Sequence, residues 1–260
     1  MLPFIFSGRS VGDLYQNIFY YVVSILNFSL ITSSIYIFND IKDRNQDAKN
    51  SIKKHRPLAS GKIKPTKALF VVLIIYVIVY VLYEYFSLQF GVFYLIYILN
   101  NTFYNFVFKN LNIINSVVIS IGFVIRIFFG SFLFETSLDT TIILMVFLTS
   151  LIMSITKKYS DKIEENITSN KLKVDLKFIN FLLYFIFLVY CFHLNFELML
   201  RFEIQLISIA LFLFVILRFR YIIRKIDRSV DFLDLTFKEP LLSVLCVLWF
   251  YNYYIIRYLN

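Results

Sequence analysis

The sequence predicts an all-α, polytopic transmembrane helix bundle of about eight spans, and three observations carry that prediction. The chain of 260 residues is 59% hydrophobic and 20% aromatic, with a mean hydropathy of +0.73. A soluble domain of this size is about half apolar. The apolar residues lie in long unbroken runs, and a hydrocarbon layer ~30 Å thick needs runs of about 20 residues. With only six Gly and four Pro, these runs can satisfy their own backbone as helices, as lipid demands. A single membrane domain is expected over residues 1–260, with no soluble domain beside it.

Taken in order, the expected spans are 18–38, 66–86, 91–107, 113–134, 140–157, 178–196, 203–218 and 241–257. The stretch MLPFIFSG before the first is apolar but too short to cross, and it lacks the basic lead-in of a cleaved signal. Cys191 and Cys246 both fall inside spans, so they give neither a disulfide framework nor metal-ligand spacing. Glu84 and His193 fall near span ends and are expected at the membrane interface.

Charge sets the expected orientation. Of 26 Lys and Arg, nine lie in 42–67, six in 157–177 and six in 218–238. Alternating the spans puts these three loops and Lys109 on one side, while the turns at 87–90, 135–139 and 197–202 contain only Arg201. The positive-inside rule makes the basic side cytoplasmic. The net charge of +9 is thereby explained as topogenic and lipid-directed, and no nucleic-acid partner is expected. For most of these lysines, topology and the lipid bilayer are the preferred explanation.

The loop after the first span holds more than topogenic charge. Its start reads NDIKDRNQD, with Asn39, Asp40, Asp43 and Asp47 at i, i+1, i+4 and i+8. If the span continues as a helix, Asn39, Asp43 and Asp47 stack on one face, with Asp40 at its edge. Stacked carboxylates repel unless a cation screens them, and Mg²⁺ favours such oxygen donors shared with substrate phosphates. Lys53, Lys54, His55 and Arg56 follow closely, then Pro57 and the turn Ser60-Gly61. Acidic and basic clusters in succession suit a metal-bound polyphosphate. A solvated juxtamembrane helix of mixed charge would show the same spacing.

The stretch NDIKDRNQD…KKHRPLASGKI resembles the first Asp-rich motif, NDxxDxxxD, of the UbiA superfamily of intramembrane prenyltransferases. RPLASGKI is similar to the decaprenyl-phosphate phosphoribosyltransferase branch, as are GRSVGD, GFVIRIFFG at 122–130, KKYSD at 157–161, and DFLDLTFKEPLL with Trp249. The resemblance runs over most of the chain and implies a UbiA-type bundle. It implies transfer of a 5-phosphoribosyl group from phosphoribosyl diphosphate to a polyprenyl phosphate, with diphosphate leaving. A role in cell-wall biosynthesis is a family-level extension.

By resemblance, Asp40, Asp43 and Asp47, with Asn39, hold Mg²⁺ and the diphosphate. Lys53, Lys54 and Arg56 are expected on phosphate oxygens. In the second loop, Lys157, Lys158, Tyr159 and Asp161 are expected to bind substrate. There Asp161 and Glu165 keep a four-residue spacing, but the clear second Asp-rich motif of most aromatic prenyltransferases is absent. An ordinary helix end with lysines at lipid headgroups remains the alternative. Arg126 lies deep in a span, where an unpaired charge costs at least about 2.5–3.5 kcal/mol. GFxxR is shared with the branch, which places Arg126 near the active cavity, facing the lipid phosphate. Pairing to a helix carbonyl or to Glu84 is the alternative. Asp227, Asp231 and Asp234 either wall the polar site or balance nearby basic residues.

Family members have nine spans, and their first is led by an Arg-Pro…Trp…Lys-Asn motif. This chain starts where that helix would end, so the family's first helix is expected to be truncated here. Two rival functions stand beside the phosphoribosyl reading. One is a UbiA-type prenyltransferase moving an isoprenoid from its diphosphate to an aromatic or other small acceptor. The other is a non-catalytic membrane transporter or lipid-binding protein.

Overall fold

The structure is a computed structural model, and it describes residues 17–49, 53–83, 88–108, 112–164, 169–197, 202–226 and 239–258. Among the described residues the architecture is all helical. The α-helices are α1 (Ile18–Asp47), α2 (Pro65–Tyr83), α3 (Leu88–Phe103), α4 (Asn112–Leu133), α5 (Thr140–Glu164), α6 (Ser169–Glu197), α7 (Phe202–Arg224) and α8 (Pro240–Tyr258). Each of the eight expected spans falls on one of them. Six (α1, α2, α4, α5, α6 and α7) are long and apolar enough to cross a membrane by length and composition. In α8 the apolar part is the shorter Pro240–Tyr253. The 16 residues of α3 run on into a π-helical turn, Tyr104–Phe108. The chain is a multi-pass membrane protein.

Several helices outrun the apolar stretches that announce them. Helix α6 begins at Ser169 and α7 ends at Arg224, although their apolar runs cover only 178–196 and 203–218. Hydropathy reports the part of a helix in lipid, whereas backbone hydrogen bonding continues through polar turns beyond it. The same effect matters most in α1. Its 30 residues span about 45 Å, roughly one and a half times the hydrocarbon thickness. The surplus is the polar end that carries the acidic residues.

The described helices divide into two compact units: α1–α3 within Arg9–Asn110 and α4–α8 within Leu111–Asn260. In the first, α1 packs against α2 and α3. Helix α2 buries Ala68, Val72 and Ile75, one stripe at helical spacing, while Leu69, Phe70, Leu73 and Val77 face outward. An apolar outer surface of this kind suits lipid. Small polar residues sit at the helix contacts, and their hydroxyls bond back to the preceding turn. Ser24 Oγ donates to the Tyr20 carbonyl at 2.7 Å and Ser34 Oγ to that of Ile31 at 2.7 Å. Such back-bonding lets a hydroxyl be buried without an orphan donor.

In the second unit, consecutive helices from α4 to α8 pack in sequence. The core draws on α5, α6, α7 and α8, with Ile179, Tyr190 and Leu194 fully buried. His193 is also buried, at 1% exposure, and its Nε2 lies 2.8 Å from Tyr253 Oη. His193 thus lies on the face of α6 that meets Tyr253 of α8, near the end of its span. Residues 84–87, including Glu84, lie outside the described residues, as do residues 227–238 with Asp227, Asp231 and Asp234. GRSVGD and Glu165 lie outside them as well.

Candidate active site

The acidic end of α1 is a continuous helix through Asp47. At about 100° per residue, Asp40 and Asp47 are separated by two turns and only about 20° of rotation. They therefore form the closest vertical pair, with Asp40 at the edge of the face that Asn39, Asp43 and Asp47 share. Asp43 stands between them, about 60° from Asp40. Asp47 is 5% exposed.

After α1 the chain makes a 3-10 turn, Lys53–His55, and a compact loop that brings Arg56 back to the helix. Arg56 Nη1 donates to Asp40 Oδ1 at 2.8 Å and to Asp47 Oδ2 at 3.0 Å. The loop is fixed from within. Ser60 N–H donates to the Arg56 carbonyl at 2.8 Å, Ile63 N–H donates to the Pro57 carbonyl at 3.0 Å, and Leu58 is buried. Gly61 supplies the left-handed residue of this turn, with φ of +75°. The RPLASGKI stretch is thus a clip that places one guanidinium across two carboxylates.

A second grip comes from α3. The π-turn carries Asn105, whose Nδ2 donates to Asn39 Oδ1 and whose backbone carbonyl accepts from Lys42 Nζ. The Lys42 ammonium also lies 4.2 Å from the Phe106 ring centroid. Asn39 is therefore engaged by α3, on a different side of α1 from the Arg56 clip. Lys42 and Asn105 were not singled out from sequence. The available signal was the group Asn100, Asn101 and Asn105 at the end of an apolar run, since polar residues there seldom lack a role.

Among the described residues, no three His, Cys, Asp or Glu side chains converge to hold a metal by themselves. Mg²⁺ rarely uses an all-protein cage, taking one or two carboxylates with substrate phosphates and water. The donor set fits that requirement, because Asp40 and Asp47 already share one cationic group.

In the α4–α8 unit, Lys157 Nζ pairs with Asp161 Oδ1 at 3.2 Å along one helix face, and Lys162 pairs with Asp175 across α5 and α6. Lys158 is half-buried. Tyr159 packs into the helical core at 8% exposure, so its ring is a wall of that helix end more than a free arm. Arg126, half-buried in the middle of α4, holds its guanidinium 5.2 Å from the centroid of Phe123, one turn earlier.

Phe123 also lines an apolar cavity of about 330 Å³ bounded by α4, α5, α6 and α8. Met145, Thr149 and Met153 form one wall, and Trp249 and Tyr253 another. Two lining tyrosines have their hydroxyls occupied, Tyr190 with Ser208 and Tyr253 with His193. What they leave to the cavity is ring surface.

Comparison with known proteins gives two findings. The profile of the UbiA prenyltransferase family matches residues 2–237. The decaprenyl-phosphate phosphoribosyltransferase of Mycolicibacterium smegmatis is 27% identical over 139 residues, 54% of this chain and 44% of that protein. The similar region thus spans less than half of the relative's length.

Proposed function

The chain belongs to the UbiA prenyltransferase family, and on that premise we propose that it is a Mg²⁺-dependent membrane transferase. Its reaction would move a 5-phosphoribosyl group from phosphoribosyl diphosphate to a polyprenyl phosphate. The observation that carries the reading is the sharing of Arg56 by Asp40 and Asp47. Carboxylates for a metal and a guanidinium for phosphate oxygens occur within one short stretch of α1 and its loop. The ribose donor, as against an isoprenyl diphosphate, is supported by the named activity of the relative and by the Lys157-Lys158 pair.

The chemistry follows from the charges. An acceptor phosphate oxygen, already ionised, attacks the ribose C1; the bond from C1 to the diphosphate oxygen breaks, and diphosphate leaves with the electron pair. No side chain need act as general base. Asp40, Asp43 and Asp47 would hold Mg²⁺, which supplies charge neutralisation for the leaving diphosphate. Asn39, Lys53, Lys54 and Arg56 would hold its outer oxygens, Arg56 through its forked geometry. Lys157 and Lys158, with Asp161 steadying Lys157, are proposed to bind phosphate, and Arg126 the lipid phosphate. The apolar cavity suits part of an isoprenoid chain. The polar end of α1 is proposed to face the cytoplasm across the inner membrane, as the charge distribution indicates.

The test is transfer of ribose label from phosphoribosyl diphosphate into the organic phase, using membranes containing the chain, Mg²⁺ and a polyprenyl phosphate. Label that moves with Mg²⁺ supports the reading. A chain that transfers isoprenoid from its diphosphate to an aromatic acceptor, and never ribose, would replace it with the other transferase activity.

A further inference from the structure

We propose that Asn105 is a positioning residue for the acidic end of α1, setting the orientation of the Asn39 amide toward diphosphate. The inference rests on the reading above that this end holds a metal-bound diphosphate.

The π-turn Tyr104–Phe108 is the starting point. Such turns interrupt the regular helical ladder and are frequent at functional sites. Here the widened turn is used three ways against α1. The Asn105 amide donates to Asn39 Oδ1, the Asn105 carbonyl accepts from Lys42 Nζ, and the Phe106 ring lies under the Lys42 ammonium at 4.2 Å. Asn39 and Lys42 are three residues apart, so they share one side of α1. Asp40 and Asp47 form the other pair, held by Arg56. The helix end is gripped from two directions, and its rotation about its own axis is fixed.

The amide chemistry then sets what Asn39 can offer. An Asn side chain has one carbonyl oxygen and two N–H donors. Asn105 donates to one of that oxygen's two lone pairs, which fixes the amide plane and keeps both N–H donors for an anion. Metal ligation needs the oxygen, whereas a diphosphate oxygen needs a donor. Asn39 is accordingly a diphosphate donor beside the carboxylates, and Asn105 holds it in that sense. Removing Asn105 would let the Asn39 amide rotate without removing any group that touches metal or diphosphate.

The full chain in detergent would be tested as wild type, Asn39→Ala, Asn105→Ala and the double variant. Mn²⁺ binding is followed by its electron paramagnetic resonance signal, then inorganic diphosphate is titrated at saturating Mn²⁺, with thermal midpoints alongside. Expected for Asn105→Ala is an affinity for Mn²⁺ alone near that of the wild type and a loss of about tenfold in diphosphate affinity, the scale for removing a group that orients a ligand. The double variant should bind diphosphate no more weakly than Asn39→Ala, because both changes remove one coupled element. Additive losses, or unchanged diphosphate affinity in Asn105→Ala, would overturn the proposal. So would a parallel fall of Mn²⁺ affinity, diphosphate affinity and thermal midpoint, which would mark a purely structural residue. A wild type that binds no diphosphate would instead sink the functional reading, and the role of Asn105 with it.

Discussion

One nitrogen of Arg56, Nη1, lies 2.8 Å from Asp40 Oδ1 and 3.0 Å from Asp47 Oδ2. The two carboxylates are seven residues apart on α1, and two helical turns bring them nearly into line. Repulsion between them is offset by a cation from the loop that follows, so α1 can remain helical to its acidic end. The Asp47 side chain is 7% exposed and that of Arg56 is 44% exposed, so the guanidinium is the more accessible partner. Under the proposed function it would exchange carboxylate oxygens for phosphate oxygens as substrate arrives.

Arg56→Ala is expected to lower the thermal midpoint most when Mg²⁺ is absent. The exposed part of the bridge contributes about 1 kcal/mol or less; the greater cost is a buried Asp47 carboxylate that loses this donor. Millimolar Mg²⁺ should recover much of the deficit by supplying another cation. Arg56→Lys keeps charge but loses the fork, so its midpoint should recover more fully than its affinity for the diphosphate donor. Thermal unfolding in detergent with and without Mg²⁺ checks this, and an equal deficit in both conditions would contradict it.

Asp43→Ala and Asp47→Ala are expected to reduce label transfer by at least about 100-fold, since even groups that only orient a metal ligand cost 10–100-fold. The loss should appear in both kcat and the Mg²⁺ requirement. Membranes carrying equal amounts of each variant, assayed over a Mg²⁺ series, give the comparison. Activity within a few-fold of wild type in both variants would remove these carboxylates from the metal site.

The helices were legible in the sequence because lipid imposes one rule on long apolar runs, and each run from 18–38 to 241–257 became a helix. Asp40, Asp43 and Asp47 were legible as a group because a helix of known pitch fixes their spacing. Arg56 was read as a phosphate ligand, but its pairing with Asp40 and Asp47 depends on the path of the loop through Leu58 and Gly61. Asn105 was missed for a different reason: a π-turn changes the helical register, so spacing in α3 does not reveal which residue meets Asn39. The burial of His193 against Tyr253 was not legible, because position along a span says nothing about which face of the helix is buried.

Gly61→Ala tests the clip without touching a charged group. A Cβ at Gly61 meets nothing within 4 Å, yet φ is +75°. Left-handed backbone costs a residue with a Cβ about 1–2 kcal/mol. The expected result is a modest fall in thermal midpoint and weaker diphosphate binding, because the loop that returns Arg56 is loosened. Gly61→Asn should be milder, as Asn tolerates this conformation better. If Ala and Asn match the wild type, the turn does not set the position of Arg56.

His193→Ala should destabilise the α4–α8 unit through the lost bond to Tyr253, 2.8 Å long and fully buried. Hydrogen bonds between membrane helices average about 0.6 kcal/mol, and a vacated buried volume adds to that. Tyr253→Phe removes the hydroxyl and keeps the ring, so its cost should be the smaller. Neither change should alter the Mg²⁺ requirement, because neither residue belongs to the acidic end of α1. A shifted Mg²⁺ requirement in Tyr253→Phe would give this pair a role in the site.

The cavity of about 330 Å³ between α4, α5, α6 and α8 makes the last prediction, and it depends on size rather than charge. Small-molecule sites begin near 300 Å³, so this cavity can take a segment of an isoprenoid but not a long chain in full. Thr149 lines it and can be enlarged without removing a core contact, being itself exposed. Thr149→Trp should fill much of the space. If the cavity receives the chain beyond its first units, Thr149→Trp will raise the KM for a long polyprenyl phosphate. A short-chain acceptor should be affected little, and the KM for the diphosphate donor not at all. Equal effects on long and short acceptors would mean that the chain lies elsewhere and that the cavity is a packing void. A rise in donor KM alone would instead report a disturbance carried from α5 to its basic end, where Lys157 and Asp161 pair.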